Sequence, residues 1–292
     1  MWTRFQTLML REWMQHHKGW LLVMLVPPLA FLALLPFGSV DVEAELPVML
    51  LAAMALAISA VAVAGLSWSV AMLQLPGLAR RDQQDRSIEF WLSLPASHSE
   101  SIAATLLMHV LLVPLLALLV GTALGFVISA ALVLKLGGLA ALAEVSWPAM
   151  AVGGLAGLAR LALGLVLMSL WLAPLFMIMM AASAWLKRWG VPMVIGAVVI
   201  GGNVLAKVYG NPIVWKLLEA QLHGAASAFF DHEGEFDRLR HAPEALGGAV
   251  ARWALEDGWQ ALLGLASPHL IGGLLVAAGC FALLVLRRRR GQ

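Results

Sequence analysis

The sequence predicts an all-α, polytopic membrane protein: six transmembrane helices, an amphipathic helix at the membrane surface ahead of them, and a short helix in one cytoplasmic loop. Three observations lead there. Of 292 residues, 61% are hydrophobic and only 12% charged, and the mean hydropathy is +0.87. A water-soluble domain carries about 25% charged residues, so this chain cannot clothe a surface of its size in water. Six runs then reach the ~20 residues that a helix needs to cross a bilayer: roughly 19–38, 46–73, 101–128, 160–186, 189–210 and 267–286. Helices are required there because lipid offers backbone groups no partner.

The third observation is the placement of charge. Six crossings put both termini on one side, and that side collects 12 of the 19 basic residues, among them Arg80, Arg81, Lys187, Arg188 and Arg287 to Arg290, against five acids, a net +7. The other side holds five basic residues and twelve acids, a net −7. Lys and Arg near helix ends favour the cytoplasm, so both termini are expected on the cytoplasmic side. Trp20, Trp185 and Trp189 fall at the inner interface and Trp147 and Trp215 at the outer one, as an aromatic belt requires. No cleaved leader is expected, because the polar stretch ahead of Lys18 is long and the apolar run after it can span.

Residues 1–18 form the first element, an interfacial amphipathic helix. Trp2, Phe5, Met9 and Trp13 share one face, and Arg4, Arg11 and Lys18 recur every seven residues on the opposite face. Such a helix rests on lipid with its cations toward anionic headgroups; it is either a plain anchor or a connection to a cytoplasmic partner. Residues 19–286 form the transmembrane domain, and 287–292 a basic tail. Within the domain, Lys135, Glu144, Pro148 and repeated glycines interrupt 129–159, which reads as a loop with a partly membrane-dipping helix.

Two polar segments remain. The cytoplasmic one, 74–100, contains a helix from about Asp82 to Leu94. Asp82, Asp85, Glu89 and Ser93 make a narrow acidic stripe, while Ile88, Phe90, Trp91, Leu92 and Leu94 cover most of the rest. Pro95 ends it, and Ser97-His98-Ser99-Glu100 matches a capping box that opens the next run. The stripe suits a docked partner better than bare lipid, where Lys and Arg are usual. The outer segment, 211–266, holds two amphipathic helical runs, 213–230 and 244–263, around an acidic string. Asp231, His232, Glu233, Glu235, Asp237 and His241 in that string lack fixed ligand spacing and read as a solvated turn, so no metal site is assigned.

Asp85 through Ser97, with LREWMQHHKGWLL ahead of the first span, resembles the permease subunits of type-2 ATP-binding-cassette (ABC) exporters. The likeness covers the order of elements along the chain and about a tenth of its residues. It implies that 82–94 is a coupling helix seated in a groove of a separate cytoplasmic ATPase subunit. Phe90, Trp91 and Leu94 would fill that groove, Asp85 and Glu89 would meet its basic rim, and Arg86, Ser87, Ile88 and Pro95 belong to the same motif. ATP and Mg would be held by that partner, since this chain has no G-x-x-x-x-G-K-[ST] phosphate loop and no cofactor of its own. The resemblance further implies a homodimer, with a pathway between protomers lined by Ser59, Ser67, Ser69 and Asn203 of the second and fifth spans. A long outer segment departs from the family, and a periplasmic component could meet it there.

Other features are weaker. Gly121/Gly125, Gly153/Gly157 and Ala197/Gly201 have the four-residue spacing that lets helices approach closely. Pro27, Pro28, Pro114, Pro174 and Pro192 are candidate hinges. Arg160 and Lys207 lie near span ends and are expected to snorkel, with a contact to an anionic substrate or a pair to an acid such as Glu144 as the alternative. The single cysteine, Cys280, excludes an internal disulfide. No nucleophile–base arrangement points to an enzyme, and nothing calls for nucleic acid. Two rivals to the transport reading remain. A secondary transporter would show acids within its spans, and the six runs hold none. A scaffold would use the same docking helix without moving a substrate. The nearly apolar runs lean toward lipidic, peptide or drug-like cargo.

Overall fold

A computed structural model describes residues 2–40, 46–84, 97–229 and 246–290. The described chain is helical, with no strand among the described residues. Its elements are α1 (Trp2–Leu34), α2 (Val48–Gln84), α3 (His98–Leu106) running through a π turn (Leu107–Leu112) into α4 (Val113–Glu144), and α5 (Trp147–Leu186). After these come α6 (Gly190–Gly196), a second π turn (Ala197–Gly201), α7 (Gly202–Val208), α8 (Ile213–Ser227), α9 (Leu246–Leu263) and α10 (Pro268–Arg290).

Among the described residues, five stretches are long and apolar enough to cross a membrane: Arg4–Leu34, Val48–Arg81, His98–Glu144, Trp147–Val208 and Pro268–Arg289. This is the pattern of a multi-pass membrane protein. The count differs from the six runs read in the sequence because helical turns follow one another without a gap from Trp147 to Val208, across Lys187 and Arg188. The chain nevertheless folds back inside it. Lys187 takes a left-handed φ of 54°, and Gly190 lies so close to Ala182 that an added Cβ would fall 2.4 Å from the Ala182 carbonyl oxygen.

Two further expectations are revised. The N-terminal amphipathic segment is no separate element: α1 runs through Lys18 and on past Pro27 and Pro28 without a break. Residues 129–159 are mostly helix rather than loop. Lys135, read as a breaker, donates from its ammonium to the carbonyls of Leu35 and Gly38 just past the end of α1. A cation capping another helix's C-terminus satisfies both partners, so α4 can carry it. The true irregularity is Gly138, with φ 69° and ψ −163°, a conformation open only to glycine.

The core lies where α2 meets α1, α4 and α5. Gly121 and Gly125 are what bring α4 against α2. A Cβ on Gly121 would stand 3.0 Å from the Ser59 carbonyl oxygen, and one on Gly125 3.0 Å from that of Leu56. Two hydroxyls seal this approach: Ser59 donates to the Gly121 carbonyl at 2.9 Å and Ser129 to that of Ala52 at 2.7 Å. Ser183 of α5 donates to the Pro76 carbonyl of α2 at 2.6 Å, which fastens the last turn of α5 about two turns short of the end of α2. On the far half of α5, Gly224 lets α8 sit on the Trp171 ring, which a Cβ would approach to 2.4 Å.

Candidate functional site

The centre of interest is Glu12, fully buried in the third turn of α1. A lone buried carboxylate is untenable without paired charge and hydrogen bonds, and three elements supply them. Arg81, in the last turn of α2, donates from Nη2 to Oε1 at 2.7 Å and from Nη1 to Oε2 at 3.1 Å, the two-pronged geometry that suits guanidinium to carboxylate. Arg11 reaches Oε1 from the adjacent position, and the Thr105 hydroxyl of α3 donates to the same oxygen at 3.1 Å. Glu12 thus ties together α1, the end of α2 and α3. The ends of α2 and α3 flank residues 85–96 on either side.

An aromatic shell adjoins it. His109 is wholly buried in the π turn and lies edge-on to Trp20, ring centroids 5.0 Å apart. His16 stacks on Trp20 at 5.3 Å, and Trp13 tilts against Trp20 at 5.9 Å. Apolar packing continues through Met24, Val63, Met108 and Val113. Beside this cluster, a cleft between α2, α3, α5 and α10 is lined by Leu78, Ile102, Met180, Arg81, Arg287 and Arg288. Arg287 donates to the Ala184 carbonyl at 3.4 Å and lies over the Trp185 ring at 5.7 Å.

A second buried pair holds the other half of the molecule. Arg160 of α5 donates from Nε to Asp257 of α9 at 2.6 Å, its Nη2 lies 2.5 Å from the same oxygen, and its Nη1 donates to the Ala228 carbonyl at 2.8 Å. Its side chain is 0% exposed and that of Asp257 is 2% exposed. The expectation that Arg160 snorkels is therefore overturned, and its acid is Asp257 rather than Glu144. α9 packs over this stretch of α5, and its Gly258 lies beside Arg160 and Leu163, so water cannot reach the guanidinium.

The residues singled out in the sequence fare unevenly. Asp85, Arg86, Ser87, Ile88, Glu89, Phe90, Trp91, Leu94 and Pro95 lie outside the described residues, as does the acidic string 231–241. Residues 82–84, expected to open a separate helix, are the end of α2. The capping box closes as its pattern predicts: Ser97 Oγ accepts from the Glu100 amide at 3.2 Å, and the Glu100 carboxylate accepts from the Ser97 amide at 2.8 Å. In α1, Arg4 and Lys18 are exposed while Arg11 is drawn into the Glu12 site and Trp13 is half-buried. Of the four polar groups expected along a pathway, Ser59 is spent on α4 and Ser67 is buried at 3% exposure. Ser69 and Asn203 bond within their own helices, to the carbonyls of Gly65 and Val199.

Sequence reasoning missed Glu12, Thr105 and His109. One signal was present: Glu12 is the single acid before Asp41, four residues ahead of His16 on what proves to be the packed face of α1. No family of known proteins, no curated protein and no solved structure matches this chain.

Proposed function

We propose that this chain is the membrane-spanning permease subunit of an ATP-driven exporter in the bacterial inner membrane. It would make six crossings with roughly residues 189–210 as the fifth, place both termini in the cytoplasm and work as a dimer. A separate ATPase, holding ATP and Mg, would dock on the 82–94 segment. The observation that carries this reading is the Glu12–Arg81–Thr105 junction. A coupling segment transmits force only if the helices it joins are braced, and here both flanks are tied to a common helix at hydrogen-bonding distance. The capping box makes the exit into α3 rigid as well. Phe90, Trp91 and Leu94 would anchor the ATPase, since buried aromatic residues dominate docking energy.

Secondary transport is the poorer alternative. Glu12 and Asp257 are buried acids, but each is held by arginine, which leaves a poor carrier for a coupling ion. The deciding experiment is purification from the native membrane followed by reconstitution. An ATPase subunit is expected to copurify, and Phe90→Ala/Trp91→Ala is expected to lower its recovery at least tenfold and to uncouple ATP hydrolysis from transport. Wild-type recovery and coupling in that variant overturns the assignment; recovery of a partner without ATPase activity points to a scaffold.

A further inference from the structure

The transport reading makes no use of His109 or His16. The Nδ1 of His109 lies 3.0 Å from the Thr105 carbonyl oxygen. A carbonyl only accepts, so Nδ1 carries the proton and Nε2 is left with a lone pair. That Nε2 is buried and has no hydrogen-bond partner among the described residues, which is rare for a polar atom shielded from water. His16 repeats the arrangement one helix away. Its Nδ1 is 3.2 Å from the Glu12 carbonyl oxygen, so in the neutral ring Nε2 is the nitrogen left to accept or to bind. The two rings meet edge to face with centroids 5.1 Å apart, and ligand atoms of Glu12, His16 and His109 lie within 4.8 Å of one another. A backbone carbonyl fixing one ring nitrogen while the other is offered is how metal-binding histidines are oriented. The π turn carrying His109 is itself a rare feature that recurs at functional sites.

We propose that His16 and His109 hold a soft, monovalent late transition-metal ion, of the Cu+ class, between α1 and the π turn. The charge balance selects the ion. Glu12 has its carboxylate oxygens engaged by Arg81, Arg11 and Thr105, so it serves as counter-charge and leaves coordination to the imidazoles. Arg11 and Arg81 repel any cation placed there in proportion to its charge, so a divalent ion bears twice the penalty of a monovalent one. The surroundings are soft. Trp20 packs on both rings, Met24 and Met108 share its core, and Met9 packs against that core. Imidazole suits copper and thioether selects Cu+, and indole faces attract cations.

The test uses the full chain in detergent, titrated without oxygen with Cu+ against a chelator of known affinity, and separately with Zn2+. One Cu+ per chain is expected, bound at least tenfold more tightly than Zn2+, with quenching of tryptophan fluorescence. His109→Ala and His16→Ala are each expected to weaken Cu+ binding at least tenfold. His16 is only half-buried, so its variant should keep the wild-type melting temperature even where the His109 variant does not fold. Absence of stoichiometric Cu+ binding, unchanged affinity in folded His16→Ala, or a preference for Zn2+ overturns the proposal. None of these outcomes depends on whether an ATPase binds.

Discussion

Arg160–Asp257 and Arg81–Glu12 are both buried arginine–carboxylate pairs, yet they close to different degrees. Along α5, Arg160 lies 23 residues from Ser183, the residue that touches α2 beside the Arg81 turn, a distance of about 35 Å at helical rise. At the Arg160 end both side chains are essentially dry, and one guanidinium serves one carboxylate and one carbonyl. At the Glu12 end the carboxylate is dry, but Arg11 and Arg81 remain 10% and 16% exposed, and the buried His109 Nε2 nearby has no hydrogen-bond partner among the described residues. The first arrangement is a lock that fastens α9 and the end of α8 to α5. The second is a joint, because one dry carboxylate ties α1, the end of α2 and α3 together through arginines that keep slight contact with water.

The comparison predicts how each breaks. Arg160→Met strands Asp257 in a dry site, and losing one partner of such a pair costs about 3–5 kcal/mol. The melting midpoint of the purified chain is therefore expected to fall sharply. Arg160→Met with Asp257→Leu should recover most of that loss, because an apolar replacement of both partners is often neutral. If the double variant melts with the single one, the pair is not the lock described.

Glu12→Gln should cost less, about 2 kcal/mol, since the stranded guanidiniums can turn to water. Its effect on ATP-coupled transport should exceed its effect on melting, and a cycle with Arg81→Met should show strong coupling between the two positions. A loss of stability equal to that of Arg160→Met would erase the distinction between lock and joint. Smallest of all, Ser97→Ala removes the cap of α3 and should cost about 1 kcal/mol. Faster amide exchange confined to residues 98–106 is expected; exchange spreading into α1 would mean that the joint and the cap are one unit.

The helical, membrane-type fold was legible because it depends on composition and on runs of contiguous residues. The capping box was legible for the same reason, since its partners are three residues apart. Glu12 was harder to read. A helical wheel puts it beside Phe5, at the edge of the apolar face of what looked like a surface helix, and nothing local reveals that the chain brings Arg81 and Thr105 to it. The membrane-dipping loop expected at 129–159 failed for a related reason: Lys135 breaks a run only when it has no carbonyls to cap, and its two lie 100 and 97 residues away.

That the chain is helical, apolar and built of spanning-length runs follows from side-chain hydropathy and backbone hydrogen bonding within a few turns, and so could be read from local sequence. Which charges are buried, and which groups answer them, was settled by long-range packing. Glu12 and Arg81 are 69 residues apart and Arg160 and Asp257 97, and such pairs exist only once glycine-lined faces bring particular helices into contact. A charge's environment belongs to the packing, and packing is not a local property of the chain.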